Sequence, residues 1–322
     1  MKAMSKRCLY CYKELDTEAD FHVSCSTRFF GSNQAPILDY TMAEMAELAK
    51  EVVKSSVTVP GVQPKLSLGF IKDVLQDGGK GRLTVMGALG GNYILKPQNE
   101  TFPQMPENEH LTMRMAEHCG ISVVASSLIR LKSGELSYIT KRIDRTDTGE
   151  KIHMLDMFQI LEAFDKYKSS VEKIGKAVAE HSANTLLDLL RLFEVIVFSY
   201  ITGNNDMHLK NFSMILSKEE WTLSPAYDLL NVNLHLPEDN EETALTINGK
   251  KRKLTKSDFI NLGLKFQLTE KQISNAFNRF VKAEKKMKQV IKSSFLSSEN
   301  QVKYIELLEN RLLLLNDQLS SK

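Results

Sequence analysis

The chain has 322 residues, 42% of them hydrophobic and 25% charged, with a formal net charge of +2. That length suits roughly two or three lobes, and that balance excludes a dominant basic footprint for nucleic acid or an acidic tail. The most apolar run, residues 186–202, is interrupted by Asp188, Arg191 and Glu194 and does not read as a membrane span. Residues 1–7 lack the apolar core of a signal peptide, so the expected location is the cytoplasm.

Three of the four cysteines, Cys8, Cys11 and Cys25, crowd into an aromatic-rich first segment; Cys119 stands apart. A reducing cytosol makes structural disulfides unexpected. The spacing predicts a helix over residues 39–54, with Met42, Met45, Ala46, Ala49, Val52 and Val53 near one face and Thr41 with Glu44 as its capping box. Strands follow at 65–70, 82–86 and 92–95, separated by turns such as Asp77-Gly78-Gly79 and Gly90-Gly91. A helix over 107–119 should stop at Gly120, and strands at 122–131 and 136–141 come next. From Met154 the pattern turns mostly helical: a long apolar helix at 184–202, short strands at 212–216 and 221–223, then helices at 257–263, 269–291 and 298–319. The expected fold is α+β and two-lobed, with a small β-rich N-lobe and a larger all-helical C-lobe. The expected divisions are 1–35 for the Cys-rich segment, 36–145 for the N-lobe and 146–322 for the C-lobe. A cleft between two such lobes is a natural small-ligand site.

The chemistry centres on Gly203-Asn204-Asn205-Asp206-Met207-His208-Leu209-Lys210-Asn211. Asp206 and Asn211 have the D-x-x-x-x-N spacing of kinase catalytic loops, in which the Asp accepts the proton of the attacking hydroxyl and the Asn holds a metal. Asp228, in Ser224-Pro225-Ala226-Tyr227-Asp228-Leu229, offers a second oxygen ligand suited to magnesium. Upstream, Lys96 closes the strand Tyr93-Ile94-Leu95-Lys96-Pro97, where kinases keep their phosphate-pairing lysine, and Glu109 on the next helix is its candidate partner. Each element has a plainer reading alone: Gly/Asn clusters are usually turns, and single lysines usually lie on the surface. The order Lys, Glu, Asp-x-x-x-x-Asn, Asp is far harder to obtain by chance. There is no G-x-G-x-x-G, Asp-Phe-Gly or Ala-Pro-Glu, which argues against an ordinary eukaryotic-type kinase.

Six blocks carry a closer resemblance: Gly61-Val62-Gln63-Pro64-Lys65-Leu66, Tyr93-Ile94-Leu95-Lys96-Pro97, Glu107-Asn108-Glu109-His110, Thr140-Lys141-Arg142-Ile143-Asp144-Arg145, Gly203 through Ser213, and Leu223 through Leu229. In that order the chain resembles the HipA-type serine/threonine kinases of bacterial toxin–antitoxin systems. The resemblance implies that Asp206 is the catalytic base and that Asn211 and Asp228 hold Mg2+. It implies that Lys96 contacts the phosphates of ATP, with His208 and Lys210 beside them, and that Lys141, Arg142 and Ile143 form the hinge receiving adenine. Thr58, Val59, Gly61 and Gln63 would belong to a flexible loop over ATP. Thr58 stands where the family autophosphorylates a serine; Ser55 and Ser56 are alternative acceptors, and Pro60 is a further departure. The stretch before Gly61 is shorter than the N-terminal subdomain of full-length members, implying the shorter HipT-like branch. That branch implies two partners, a separate small protein equivalent to the missing subdomain and a helix-turn-helix antitoxin, with no direct nucleic-acid contact by this chain. The expected substrate is a protein, such as an aminoacyl-tRNA synthetase or another translation component. A small-molecule kinase and a non-enzymatic nucleotide-binding partner of a DNA-binding antitoxin are the alternatives.

Cys8-x-x-Cys11 followed by His22-x-x-Cys25 has the ligand types and spacing of a Cys3His zinc site. The competing reading is a set of reduced, buried cysteines beside Phe21, Phe29 and Phe30. Cys119 reads as a core residue at a helix end.

Overall fold

The computed structural model describes residues 6–55, 65–72, 81–85, 91–146 and 148–316. The chain forms two compact units. One comprises Met1–His110, Val124–Glu150 and Ser293–Phe295; the other comprises Leu111–Val123, Lys151–Lys292 and Leu296–Lys322.

The first unit is built on an antiparallel sheet of β1 (Leu66–Lys72), β2 (Gly81–Val85), β3 (Tyr93–Lys96), β4 (Ser126–Arg130) and β5 (Leu136–Lys141), in the order β2-β1-β3-β5-β4. The strand β3 is central, pairing Leu95 with Leu66 on one side and Lys96 with Tyr138 on the other. Being inside the sheet buries Tyr93, Leu95 and Lys96. Three helices accompany the sheet: α1 (Val23–Phe30), α2 (Met42–Ser55) and α3 (Met105–His118), of which residues up to His110 belong to this unit. The expected capping box opens α2: the Thr41 amide donates to Glu44 Oε2 at 2.7 Å, and the Glu44 amide donates to Thr41 Oγ1 at 3.3 Å. Gly120 stops α3 as expected, taking φ +80° while Ile121 N–H reaches back to Ala116 O at 3.0 Å.

The second unit contains β6 (Met154–Asp156), α4 (Met157–Ile160), α5 (Val171–His181), α6 (Thr185–Ile201), β7 (Ser213–Ser217), β8 (Glu220–Leu223), α7 (Lys256–Lys265), α8 (Glu270–Ser293) and α9 (Ser298–Leu315). Apolar around most of its circumference, α6 is buried, as such a sequence requires. The three charges that interrupt it all have partners. Asp188, with no exposed surface, accepts from Ser182 Oγ at 2.6 Å and from the Leu223 amide at 2.7 Å. Arg191 lies 3.2 Å from Asp188, and Glu194 lies 2.8 Å from Arg279.

An all-helical description of this second unit needs one correction. The two short strands expected there occur as β7 and β8, and a third, β6, joins them in the order β6-β7-β8. Residues 154–156 are therefore extended where the pattern suggested helix, because pairing Asp156 with Ser213 and Met154 with Ile215 satisfies an edge of β7. The chain's one tryptophan, Trp221, sits half-buried on β8, and its carbonyl accepts the Ala183 amide at 2.9 Å. No described helix is long and apolar enough to cross a membrane.

Candidate active site

In the second unit α6 ends at Thr202 and the chain turns through Gly203 at φ +73°. A Cβ at this position would stand 2.8 Å from both Asn231 Oδ1 and Asn233 Oδ1, so conformation and space both demand glycine. The Gly203 carbonyl accepts the Val232 amide at 2.9 Å, which ties the loop's start to the segment after Asp228. Asn205 anchors the outer side, donating to Asp239 Oδ2 at 2.8 Å and to Glu241 O at 2.9 Å.

Between these anchors the Asp206–Asn211 loop folds on itself. Asn211 Nδ2 donates to the Asp206 carbonyl at 2.9 Å, and the His208 amide donates to the same carbonyl at 2.8 Å. A one-turn 3-10 helix, Leu209–Asn211, completes the bend. With its amide nitrogen committed, Asn211 keeps its oxygen as the atom available to a hard cation. Asp206 is half-buried, and its Oδ1 accepts from the Tyr167 hydroxyl at 2.8 Å. That hydrogen bond and the nearby carboxylate favour the protonated phenol, although burial is the largest influence raising the Tyr167 pKa.

Lys166 donates to His208 Nε2 at 2.9 Å, and the Tyr167 ring meets the His208 ring edge-on at 5.2 Å. Lys210 is exposed, its ammonium 4.7 Å from the centre of the Phe158 ring. Asp228 adopts φ +58°, a left-handed conformation that few non-glycine residues tolerate. Its neighbour Tyr227 donates to the Lys210 carbonyl at 3.0 Å and meets the Ser213 hydroxyl, so the segment bearing Asp228 is fastened to the end of the catalytic-type loop.

In the first unit Lys96 and Glu109 form an ion pair at 2.6 Å. They are only 5% and 2% exposed, so neither charge can fall back on water. Burial is the dominant influence on Lys96 and brings its ammonium down to about 8, against the opposing pull of Glu109. The Tyr138 ring lies 5.4 Å from the same ammonium. Two residues before Glu109, Glu107 receives both hydrogen bonds from Gln98 Nε2, at 2.8 and 2.9 Å, and burial raises its carboxyl pKa.

Of the hinge candidates, Lys141 and Arg142 have their amides engaged, by Ala125 O at 2.9 Å and Asn92 O at 2.8 Å. Arg142 also forms a two-pronged ion pair with Asp144 at 2.9 and 2.7 Å, joined by Arg145 at 2.7 Å. Ile143, in the same stretch, is half-buried. Thr58, Val59, Gly61 and Gln63 lie outside the described residues. The donor atoms of Cys8, Cys11, His22 and Cys25 lie within 4.8 Å of one another. A hollow of about 770 Å³ beside this cluster is lined by Phe21, His22, Ile37, Leu131 and Lys132, and Lys96 and Glu109 are not among its lining residues.

The model of the HipA-like C-terminal domain matches residues 57–289. The chain belongs to the HipA-like family. Its relatives include a Haemophilus influenzae protein named "Putative kinase", 28% identical over 311 residues, which cover 87% of this chain and 88% of that one. The serine/threonine-protein kinase toxin HipA of Shewanella oneidensis is 26% identical over 209 residues, covering 59% of this chain and 46% of the toxin. This match spans under half of the toxin's length. The solved complex of Shewanella oneidensis HipA with HipB and its operator DNA aligns with a TM-score of 0.64 at 20% identity, over 83% of this chain and 70% of that HipA. That likeness shows the HipA fold. The HipA-like match includes Lys96, Glu109, Asp206, Asn211 and Asp228, whereas the Cys/His cluster lies before it.

Proposed function

We propose that this HipA-like chain is an ATP-dependent serine/threonine protein kinase and the toxin of a toxin–antitoxin system. The observation that carries the reading is the closed loop in which Asn211 binds the Asp206 backbone, directing a carboxylate and an amide oxygen from one short turn. In the reaction, the substrate hydroxyl oxygen attacks the γ-phosphorus of ATP. The bond to the β–γ bridging oxygen breaks, ADP leaves with its electron pair, and Asp206 takes the hydroxyl proton. Tyr167 holds Asp206 in place through its hydroxyl. Lys96 contacts phosphate oxygens while Glu109 fixes its direction; His208 and Lys210 are further phosphate contacts. Asn211 and Asp228 would hold Mg2+, which neutralises phosphate charge when bound. The backbone of Lys141, Arg142 and Ile143 would receive adenine; of its amides, those of Lys141 and Arg142 are engaged by Ala125 O and Asn92 O.

The family resemblance extends the reading to autophosphorylation of Thr58 in the loop that includes Val59, Gly61 and Gln63. It also extends to a translation component as substrate, and to a small subdomain-like protein and a helix-turn-helix antitoxin as partners. Asp206→Asn tests the core of the reading. Transfer from labelled ATP should fall by about 10²–10⁴-fold while nucleotide still binds. Growth arrest on induction should also vanish; arrest that persists in the variant would make phosphorylation the wrong cause of toxicity.

A further inference from the structure

We propose that Cys8, Cys11, His22 and Cys25 bind one zinc ion, and that this knuckle holds the two elements carrying the Lys96–Glu109 pair. The donors are already gathered. Cys11 Sγ lies 3.5 Å and Cys25 Sγ 3.9 Å from His22 Nδ1, and all four donor atoms fall within 4.8 Å of one another. A tetrahedral zinc with Zn–S of about 2.3 Å and Zn–N of about 2.0 Å places its ligand atoms roughly 3.5–3.8 Å apart.

The backbone is shaped for this convergence. Cys8 N–H donates to Lys13 O and Tyr12 N–H to Cys8 O, both at 2.9 Å, with Tyr12 at φ +64°. This tight turn presents Cys8 and Cys11 together. His22 is the N-cap of α1 and Cys25 lies in its first turn, so three-residue spacing puts both on one side. His22 Nε2 lies 2.9 Å from the Glu14 carbonyl, which can accept only a proton-bearing nitrogen. The proton therefore belongs on Nε2, and the Nδ1 lone pair faces the sulfurs, the tautomer a metal needs. Packing of reduced cysteines alone would not call for the convergence of four donor atoms within 4.8 Å.

The other side of the knuckle reaches the phosphate-pairing region. The Tyr12 hydroxyl lies 2.8 Å from Nδ1 of His110, the residue after Glu109. The rings of Phe29 and Phe30 contact Tyr93 on β3, three residues before Lys96, at 5.8 and 6.1 Å. Leu9 O accepts the amide of Leu128 on β4 at 3.3 Å. A segment this short has few apolar contacts of its own, and a bound metal would give it a fixed point. Loss of the ion frees Tyr12 and α1 together, and with them the support of β3 and the start of α3. The proposal rests on the geometry of the four donors and on the contacts to His110 and Tyr93, and it stands whether or not the chain is a kinase.

The test uses the full chain purified from zinc-supplemented cells. Metal analysis should give one zinc per chain, and Co2+ replacement should give the intense visible bands of a tetrahedral thiolate site. Cys11→Ser and Cys25→Ser should lose the metal, while His22→Cys, which keeps four ligands, should retain it. After chelation, hydrogen exchange at residues 93–96 and 105–110 should quicken by about tenfold or more. A zinc-free protein, or an octahedral cobalt spectrum, would overturn the metal site. Unchanged exchange at those residues after the metal is stripped would overturn its supporting role.

Discussion

At the scale of single residues, Lys96 is set by a contest between burial and charge. Burial in the sheet lowers its pKa to about 8, from a free lysine's 10.5. In the proposed role the form that binds phosphate is the ammonium, present below about 8 and lost above it. Nucleotide affinity should therefore weaken as pH rises through that value, by several-fold between roughly pH 7 and 9. Calorimetric titration at the two pH values checks this, and Lys96→Arg, whose charge does not titrate there, should flatten the profile. The stability contribution has the opposite sign. The unfolded chain binds the extra proton between about 8 and 10.5, so the cost of burying Lys96 eases as pH rises across that window. The positions of Asp206, Asn211, Lys96 and Glu109 were legible because their residue types recur at informative spacings. Tyr167 was not: it stands 39 positions from Asp206, and one tyrosine in a polar turn carries no spacing signal.

At the scale of elements, α6 is fixed to β8 through a single buried carboxylate. Asp188→Ala would leave the Leu223 amide and the Ser182 hydroxyl without their acceptor in a place water does not reach. The expected loss is about 2–3 kcal/mol, measured as a shift of the urea midpoint, with Asp188→Asn recovering part of it. The hydrophobic pattern indicated a buried helix here and flagged Asp188 as an interruption, but not its use, because the acceptor role depends on a strand 35 positions away. The strand β6 escaped notice for a related reason: three residues are too few to show alternation, and only the edge of β7 makes them extended. The helix α1, eight residues long, was hidden by its aromatic and cysteine content. Long elements with caps were legible near their true ends; the short pairings depended on tertiary partners.

At the scale of the whole molecule, the two units have different chemical handles. The first contains the Cys/His cluster and the buried ion pair; the second contains the Asp206 loop and all three strands of the small sheet. The α+β class followed from the order of periodicities along the chain, whereas the assignment of segments such as Ser293–Phe295 to the first unit leaves no trace in local patterning. Trp221 turns this division into an optical measurement. As the chain's one indole, on β8, it makes intrinsic emission a reporter of the second unit, while absorbance of a cobalt-loaded knuckle would report the first. Stripping the metal should leave the emission maximum unchanged, and urea should shift it to the red as the β7–β8 hairpin opens. Two spectra from one sample would thus time the unfolding of each unit independently, with no label attached.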